Sequence, residues 1–412
     1  MNWEWSFVYR YSRFLWLFRF TTAGKWLCAG LIFSAMIGSA SVETPIYQVF
    51  CALTAFFFID RFVGAATRPR LEVLHDFPDR TTAGESFHAN LTIINRGKRA
   101  AYDVGVAIFG LPADIEMLEP ETTFAEIAAG DSLTTSLPMR ACRRGVHILP
   151  RPRAFSTFPF HLFRDGRCES EKPTLLVLPS FQPLFGLDLP VGARYQPGGV
   201  ALTSNIGESP EYIGNREYVS GDSARRIDYR SWARLGRPIV REYHEEYYCR
   251  VALVLDTFVP PGRKPAKEGF LDLEAAISLS AAIADALSRS EYLIDLFAAG
   301  PELYVFRSGR HTAHFDNVLE IVAGVDACRK NPFGTVAPAL ADELTNISTV
   351  VGVFLDWDES RRELVRVAMQ RGCRVKIFIV RDGETTAPID LDECDVVQLG
   401  IREVRDGGIE SL

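Results

Sequence analysis

The sequence predicts a multi-domain protein: an N-terminal two-helix transmembrane hairpin, then an all-β sandwich, then a doubly wound α/β domain. Three observations carry this. Two uncharged apolar runs, Trp26 to Val42 and Thr44 to Ile59, lie within the first 66 residues; short alternating segments broken by Pro and Gly fill Leu71 to Leu178; and from Val251 onward short apolar runs alternate with stretches of helical period. The boundaries that follow are 1–68 for the membrane region, with helices at about 26–42 and 45–63, 69–180 for the sandwich, 181–250 for a linker and an Arg/Asp-rich motif, and 251–412 for the α/β domain.

Composition narrows the function classes. At 412 residues, 47% hydrophobic and 24% charged, the chain is neither a disordered tail, nor collagen-like, nor a cysteine scaffold. A formal charge of −7 gives the whole chain no basic footprint for nucleic acid. The eight cysteines never form a Cys-x-x-Cys pair, which favours reduced thiols.

Each apolar run is slightly shorter than the ~20 residues a bilayer core requires, a deficit that snorkelling by Lys25, Asp60 and Arg61 would cover. Thr44 and Pro45 supply an N-cap and a first helical residue for the second run. Arg10, Arg13, Arg19 and Lys25 precede the hairpin, Arg61, Arg68 and Arg70 follow it, and its loop has no basic residue. The positive-inside rule therefore predicts a multi-pass inner-membrane protein with its N-terminus and C-terminal domains in the cytoplasm. Trp3 to Phe20, aromatic and basic, reads as an interfacial lead-in. A signal peptide ending near Gly38-Ser39-Ala40-Ser41 fits less well, because its basic region would be too long and a second apolar run follows.

In the sandwich, Phe87, Ala89, Leu91 and Ile93 alternate on one face of a strand closed by Asn95-Arg96-Gly97, and Tyr102 to Ile108 and Asp131 to Met139 repeat the pattern. Strands at this spacing predict an antiparallel sandwich of the immunoglobulin kind, a module that more often presents a surface than performs chemistry.

After a Pro/Gly-rich connection at 182–207 comes the densest stretch. Eight arginines between Arg216 and Arg250 interleave with Glu217, Asp222, Asp228, Glu242, Glu245 and Glu246. A phosphate groove would carry cations in excess. Near balance of sign suits bidentate Arg–carboxylate pairs that fasten a loop, with an anion or partner site as the other reading. Asp222, following Gly221, is the predicted N-cap of a helix through Arg234.

Beyond Tyr243 the elements alternate: a strand over Val251 to Leu255, a helix over Leu271 to Ser288, a strand over Tyr292 to Phe297, a helix over Phe315 to Val325, a strand over Thr349 to Leu355, a helix over Glu359 to Arg371 and a strand over Arg374 to Val380. Val396 to Leu399 is a candidate edge strand. This order predicts a mostly parallel sheet, with Asp256 and Asp356 at the carboxyl ends of strands, where ligands bind in such folds.

The run from Arg216 to Arg241 resembles the family known as domain of unknown function 58. The shared elements are Arg216-x-Tyr218, Gly221-Asp222, Arg225-Arg226, Ile227-Asp228-Tyr229, Ala233-Arg234 and a strand carrying Val240-Arg241-x-Tyr243. Arg144-Gly145 and Phe158-Pro159-Phe160-His161-Leu162-Phe163 look like further family elements, with Phe158 and His161 replacing an Asp and a Gly. The resemblance implies association with a MoxR-class AAA+ ATPase. The final domain resembles the von Willebrand factor A-like fold, whose metal site opens with Asp-x-Ser-x-Ser. Asp256 matches the opening Asp and Asp356 the late one, but Thr257, Phe258, Val259 and Pro260 follow Asp256, so both serines are missing. Mg²⁺ requires several fixed oxygen ligands, and no cofactor is expected.

Other chemistry is thin. There is no Gly-x-x-x-x-Gly-Lys loop; Gly207-Glu208-Ser209-Pro210-Glu211 lacks the closing glycine of a nucleophile elbow; His311 and His314 have no ligand cluster beyond Asp316; and Glu245 and Glu246 fall on opposite strand faces. The expectation is a membrane-anchored, non-enzymatic interaction or scaffold protein with no catalytic residues. The alternative is a metal-dependent binder or hydrolytic enzyme acting on an anionic substrate through Asp256, Asp356 and the Arg-rich stretch.

Overall fold

The computed structural model describes residues 15–38, 45–119, 122–190, 212–243 and 250–412, apart from 267, 291, 300–302, 308–313, 346 and 390–393. The chain divides into two compact units, Met1–Ser180 and Phe181–Leu412.

In the first unit, a π-helical turn at Leu15–Arg19 leads into α1, Thr22–Gly38, followed by α2, Pro45–Ala66. Both helices leave large apolar side chains exposed, among them Trp26, Phe33 and Met36 on α1 and Phe58, Ile59 and Phe62 on α2. By length and composition α2 suffices to cross a membrane, and α1 is a shorter apolar helix. Pro45 opens α2 as predicted, while the Thr44 cap and most of the Trp3 to Phe20 lead-in lie outside the described residues. Asp60 and Arg61 do not snorkel. Asp60 is 2% exposed and accepts the Phe160 amide at 3.1 Å, and Arg61 grips Asp165 at 2.5 and 3.1 Å. A carboxylate held at charge-assisted hydrogen-bond distance gives the guanidinium two directed partners that a mobile headgroup would not.

The β-rich part begins three residues after α2. Its strands are β1 Arg70–Asp76, β2 Arg80–Thr82, β3 Ser86–Asn95, β4 Ala101–Ala107, β5 Ile115–Met117, β6 Thr122–Ile127, β7 Ser132–Ala141, β8 Gly145–Ile148, β9 Arg153–Ser156, β10 Arg167–Glu169 and β11 Thr174–Leu178. They form a five-stranded sheet ordered β10-β1-β3-β7-β5 and two three-stranded sheets, β2-β11-β8 and β6-β4-β9. Phe87, Ala89, Leu91 and Ile93 of β3 are all buried in one core, as the alternation predicts. The sheets are not purely antiparallel: β1 pairs β10, and β11 pairs β2, in parallel. Long-range partners of this kind are set by the path of the chain between sheets, which alternation along one strand does not encode.

The segment after β9 fastens the helices to this unit. Asp165, 3% exposed, takes Arg19 at 3.0 Å as well as Arg61. The Thr21 amide donates to the Leu162 carbonyl at 3.1 Å and the Arg164 amide to the Arg19 carbonyl at 2.8 Å. Phe163 packs on Phe20 and Phe57 with centroids 4.8 and 5.2 Å away, and Phe160 stacks on Phe56 at 4.4 Å. His161 adopts φ 56°, the left-handed region that favours glycine. The helix must come close here, since a Cβ on Gly24 would stand 2.2 Å from the Leu162 oxygen.

The second unit opens with a hairpin module: β12 Tyr212–Glu217, a 3₁₀ turn Ala224–Arg226, α3 Tyr229–Leu235 and β13 Ile239–Tyr243. Then come β14 Arg250–Leu255, α4 Leu271–Arg289, β15 Leu293–Ala299, β16 Leu303–Arg307, α5 His314–Gly324, α6 Phe333–Glu343, β17 Thr349–Phe354, α7 Glu359–Gln370, β18 Arg374–Val380, β19 Asp395–Leu399 and α8 Ile401–Arg405. The sheet order is β16-β15-β14-β17-β18-β19, parallel except where β16 runs against β15. β14 shows why its sequence is uninterrupted by polar residues: Val251, Leu253 and Leu255 enter the core beneath α4, and Ala252 and Val254 enter the one beneath α6 and α7. The predicted linker is partly structured, because Leu184 and Leu189 are buried in the α4 core and Lys376 Nζ donates to the Asp188 carbonyl at 2.7 Å. The remainder of that linker, with the Gly207–Glu211 stretch, His311, Glu245 and Glu246, lies outside the described residues.

Candidate functional site

Two places bring the sequence-predicted residues together. The first is the hairpin module. Arg216 donates through Nη1 and Nη2 to the two oxygens of Asp222, each at 2.7 Å, and the Val219 amide donates to Asp222 Oδ2 at 2.8 Å. Gly221, at φ 113°, makes the turn that returns Asp222 to Arg216. Asp228 is the N-cap of α3: it accepts from the amides of Arg230 and Ser231 at 3.2 and 3.4 Å and from the Ser231 hydroxyl at 2.7 Å. Asn215 adds a bond at 3.2 Å, and Arg241 Nη2 lies 3.5 Å away. Arg237 pairs with Glu217, and Gly236 closes α3 at φ 68°.

Asp222 therefore caps no helix, contrary to the sequence expectation. Arg216 and Val219 consume its carboxylate, and the extended Ile227 (ψ 126°) separates the 3₁₀ turn from α3, leaving the cap to Asp228. The same bonds set the acidities. Arg216, then the Val219 amide, holds Asp222 below the ordinary carboxylate range, and the Ser231 hydroxyl leads the interactions that draw Asp228 down to about 2.

The clamped module carries exposed apolar side chains. Tyr218, Val219, Tyr229, Trp232 and Leu235 are 38 to 64% exposed, and the Tyr229 and Trp232 rings stack with centroids 6.1 Å apart. Ala233, Arg225 and Arg234 are exposed as well.

The second place is the carboxyl edge of the large sheet. Asp256 is fully buried; Oδ1 accepts the Phe258 amide at 2.9 Å, and Oδ2 accepts the Leu355 amide at 2.9 Å and Arg361 Nε and Nη2 at 2.9 and 2.6 Å. Arg361, 2% exposed, also gives Nη1 to Asp358, the N-cap of α7, and lies 5.0 Å from the Phe333 ring centroid. Burial pushes the Asp256 carboxyl up, and Arg361 and the two amides oppose that push. Asp356 belongs to a different network, with Thr386 Oγ1 at 2.6 Å, Arg381 at 2.7 Å and the amides of Trp357 and Thr386 at 2.8 and 2.9 Å.

Mg²⁺ does not fit this arrangement. Every Asp256 oxygen already accepts an N–H, a guanidinium supplies the positive charge beside it, and no group of three His, Cys, Asp or Glu residues suited to a metal exists among the described residues. Sequence reading missed Arg361. The signal was present in α7, where Arg361, Leu364, Val365 and Ala368 share one helical face, so an arginine stands in a row of buried positions.

The chain thus joins an α/β unit to an ion-pair-clamped hairpin module. Residues 214–384 match the family described as "Protein of unknown function DUF58". The match spans most of the hairpin module and the large sheet through β18, and it leaves α1, α2 and the β-rich part outside. No curated protein matches the chain. Among solved structures, the chain is similar to native alpha-2-macroglobulin from Escherichia coli at 18% identity, over 28% of this chain and 18% of that one, with a TM-score of 0.22. The CARDB domain of a Pyrococcus furiosus protein is 11% identical over 27% of this chain and 95% of its own, with a TM-score of 0.20. A cohesin module from a Clostridium perfringens family 33 glycoside hydrolase is 13% identical over 26% and 97%, also with a TM-score of 0.20.

Proposed function

We propose that this is a membrane-anchored, non-enzymatic interaction protein whose cytoplasmic domains engage a MoxR-class AAA+ ATPase in a bacterial assembly or chaperone-like role. In this reading α1 and α2 form the transmembrane hairpin, the β-rich part is an immunoglobulin-like sandwich, and the α/β unit is von Willebrand factor A-like with a guanidinium where relatives of that fold hold a metal. The observation that carries it is the exposed, stacked Tyr229–Trp232 pair, with Tyr218, Val219 and Leu235 exposed on the same module, whose backbone is held by the Arg216–Asp222 and Asp228 clamps. Aromatic side chains fixed on a rigid support are what protein interfaces concentrate, and leaving them in water is costly without a partner. The ATPase class comes from the family resemblance, and the orientation from the arginines that flank the hairpin. A metal-dependent alternative would need carboxylates that here are committed to Arg361, Arg381 and backbone amides.

The test is affinity capture of the full chain from detergent extract in the presence of ATP. The wild type should retain a MoxR-class ATPase, and Trp232→Ala with Tyr229→Ala should reduce capture about tenfold or more without shifting the melting temperature. Undiminished capture by the double variant would refute this assignment of the face.

A further inference from the structure

Within the first unit, two adjoining cavities remain unexplained by any of this. One, of about 550 Å³, is lined by Arg19, Arg68, Arg151, Arg153, Arg164 and Arg167, with Glu169 as its one carboxylate. The other, of about 440 Å³, is walled mainly by Phe18, Phe109, Ile148, Leu149 and Pro150, with Lys172 beside them. They share Phe18, Phe109, Arg151 and Arg153. A cationic chamber opening into an apolar one matches an amphiphile whose charged end is negative.

The arginines fall into two groups. Arg19 is committed to Asp165, Arg164 gives Nη1 to the Phe20 carbonyl at 3.0 Å and lies 5.2 Å from the Phe109 and Phe155 rings, and Arg68 donates to the Gly166 carbonyl at 2.8 Å. These build the wall. Arg151, Arg153 and Arg167 are exposed, and their side chains have no ion pair or hydrogen bond among the described residues. Parallel pairing of β1 with β10 sets Arg70 opposite Arg167, concentrating positive charge further. Partial desolvation, then repulsion from Arg19, lowers the Arg68 pKa, and Asp165 opposes it.

Position selects the amphiphile. Phe18 and Arg19 stand four and three residues before α1, and Arg68 stands two residues after α2, so the cavities lie beside the start of one apolar helix and the end of the other. On strand β8, at the edge of its sheet, Val146 and Ile148 are 63 and 66% exposed, extending the apolar wall outward. We propose that these cavities bind one anionic glycerophospholipid, its phosphate between Arg151, Arg153 and Arg167 and its first acyl carbons against Phe18, Phe109, Ile148 and Leu149. This rests on the reading of α1 and α2 as a membrane anchor. Basic pockets beside membrane helices recognise anionic headgroups by charge and hydrogen bonding together.

The experiment uses the full chain in neutral detergent and native mass spectrometry, with phosphatidylglycerol and phosphatidylcholine of identical acyl chains. Phosphatidylglycerol should be retained in preference by about tenfold or more, and Arg151→Ala/Arg153→Ala/Arg167→Ala should abolish the preference while leaving the melting temperature unchanged. Ile148→Asp, at an exposed edge position, should weaken the lipid too. Equal retention of the two lipids, an unaffected triple variant, or displacement of phosphatidylglycerol by millimolar inorganic phosphate would each overturn the lipid site, the last assigning it to free phosphate. Alkaline extraction from vesicles separates this from the anchor: a chain that is stripped refutes the anchor and the lipid site with it, and a chain that stays without lipid preference refutes the lipid site alone.

Discussion

Arg361→Met isolates the buried guanidinium. The side chain is 2% exposed, gives two hydrogen bonds to a fully buried Asp256, one to Asp358, and covers Phe333. Methionine fills similar space, so the main loss is charge: Asp256 would remain buried with only the Phe258 and Leu355 amides. Removing one partner of such a pair costs about 3–5 kcal/mol, a large share of the roughly 5–15 kcal/mol that holds a domain folded. The sign of its pH dependence is fixed. Burial already raises the Asp256 pKa, and losing Arg361 raises it further above the unfolded value of about 3.9, so the variant's penalty is largest at neutral pH and shrinks as pH falls through the raised folded pKa. Hydrogen exchange of the β14 and β17 amides in the full chain measures this locally. A second change, Asp256→Asn, should recover much of the loss. A destabilisation below about 1 kcal/mol, or one that grows toward acid, would refute the assignment of Arg361 as the counter-charge.

Three further outcomes are expected. Because Asp228 is drawn down to about 2, its stabilisation of the hairpin module is complete above the unfolded value near 3.9 and is lost as pH falls toward 2; amide signals of Arg230 and Ser231 should hold to about pH 4 and shift below it. Gly24→Ala should loosen the helix–loop joint by about 1–3 kcal/mol and expose 158–165 to protease, whereas Gly30→Ala, whose nearest neighbour would be Leu53 Cδ1 at 3.8 Å, should not. Chelator should leave melting of the α/β unit within a degree or so of the untreated protein, since Arg361 already neutralises Asp256; a larger fall would reveal a bound cation.

Legibility in the sequence followed the range of the interaction that builds each feature. β3 and β14 could be read because burial writes itself along a strand, alternating in one and uninterrupted in the other. α4, α7 and the parallel strands followed from period in the same way. α6 was missed because Pro338 lies inside it, and β16 because five residues carry little pattern. The clamp residues were recognised as a group, but the partner of Asp222 was misassigned, since both a cap and an arginine pair satisfy the same spacing. Asp60 and Arg61 looked like membrane-edge charges because their partners, Phe160 and Asp165, are about a hundred residues away.

The grip on Asp165 has a mechanical corollary. The turn that leads into α1, and α2 itself, each send an arginine to the same carboxylate, and only Thr67, Arg68 and Pro69 separate α2 from β1. A load taken by the β-rich part reaches the helix pair with no slack to absorb it, so the attachment works as a lever arm and not as a leash. Twisting that part should tilt the helices, and tilting the helices should turn it.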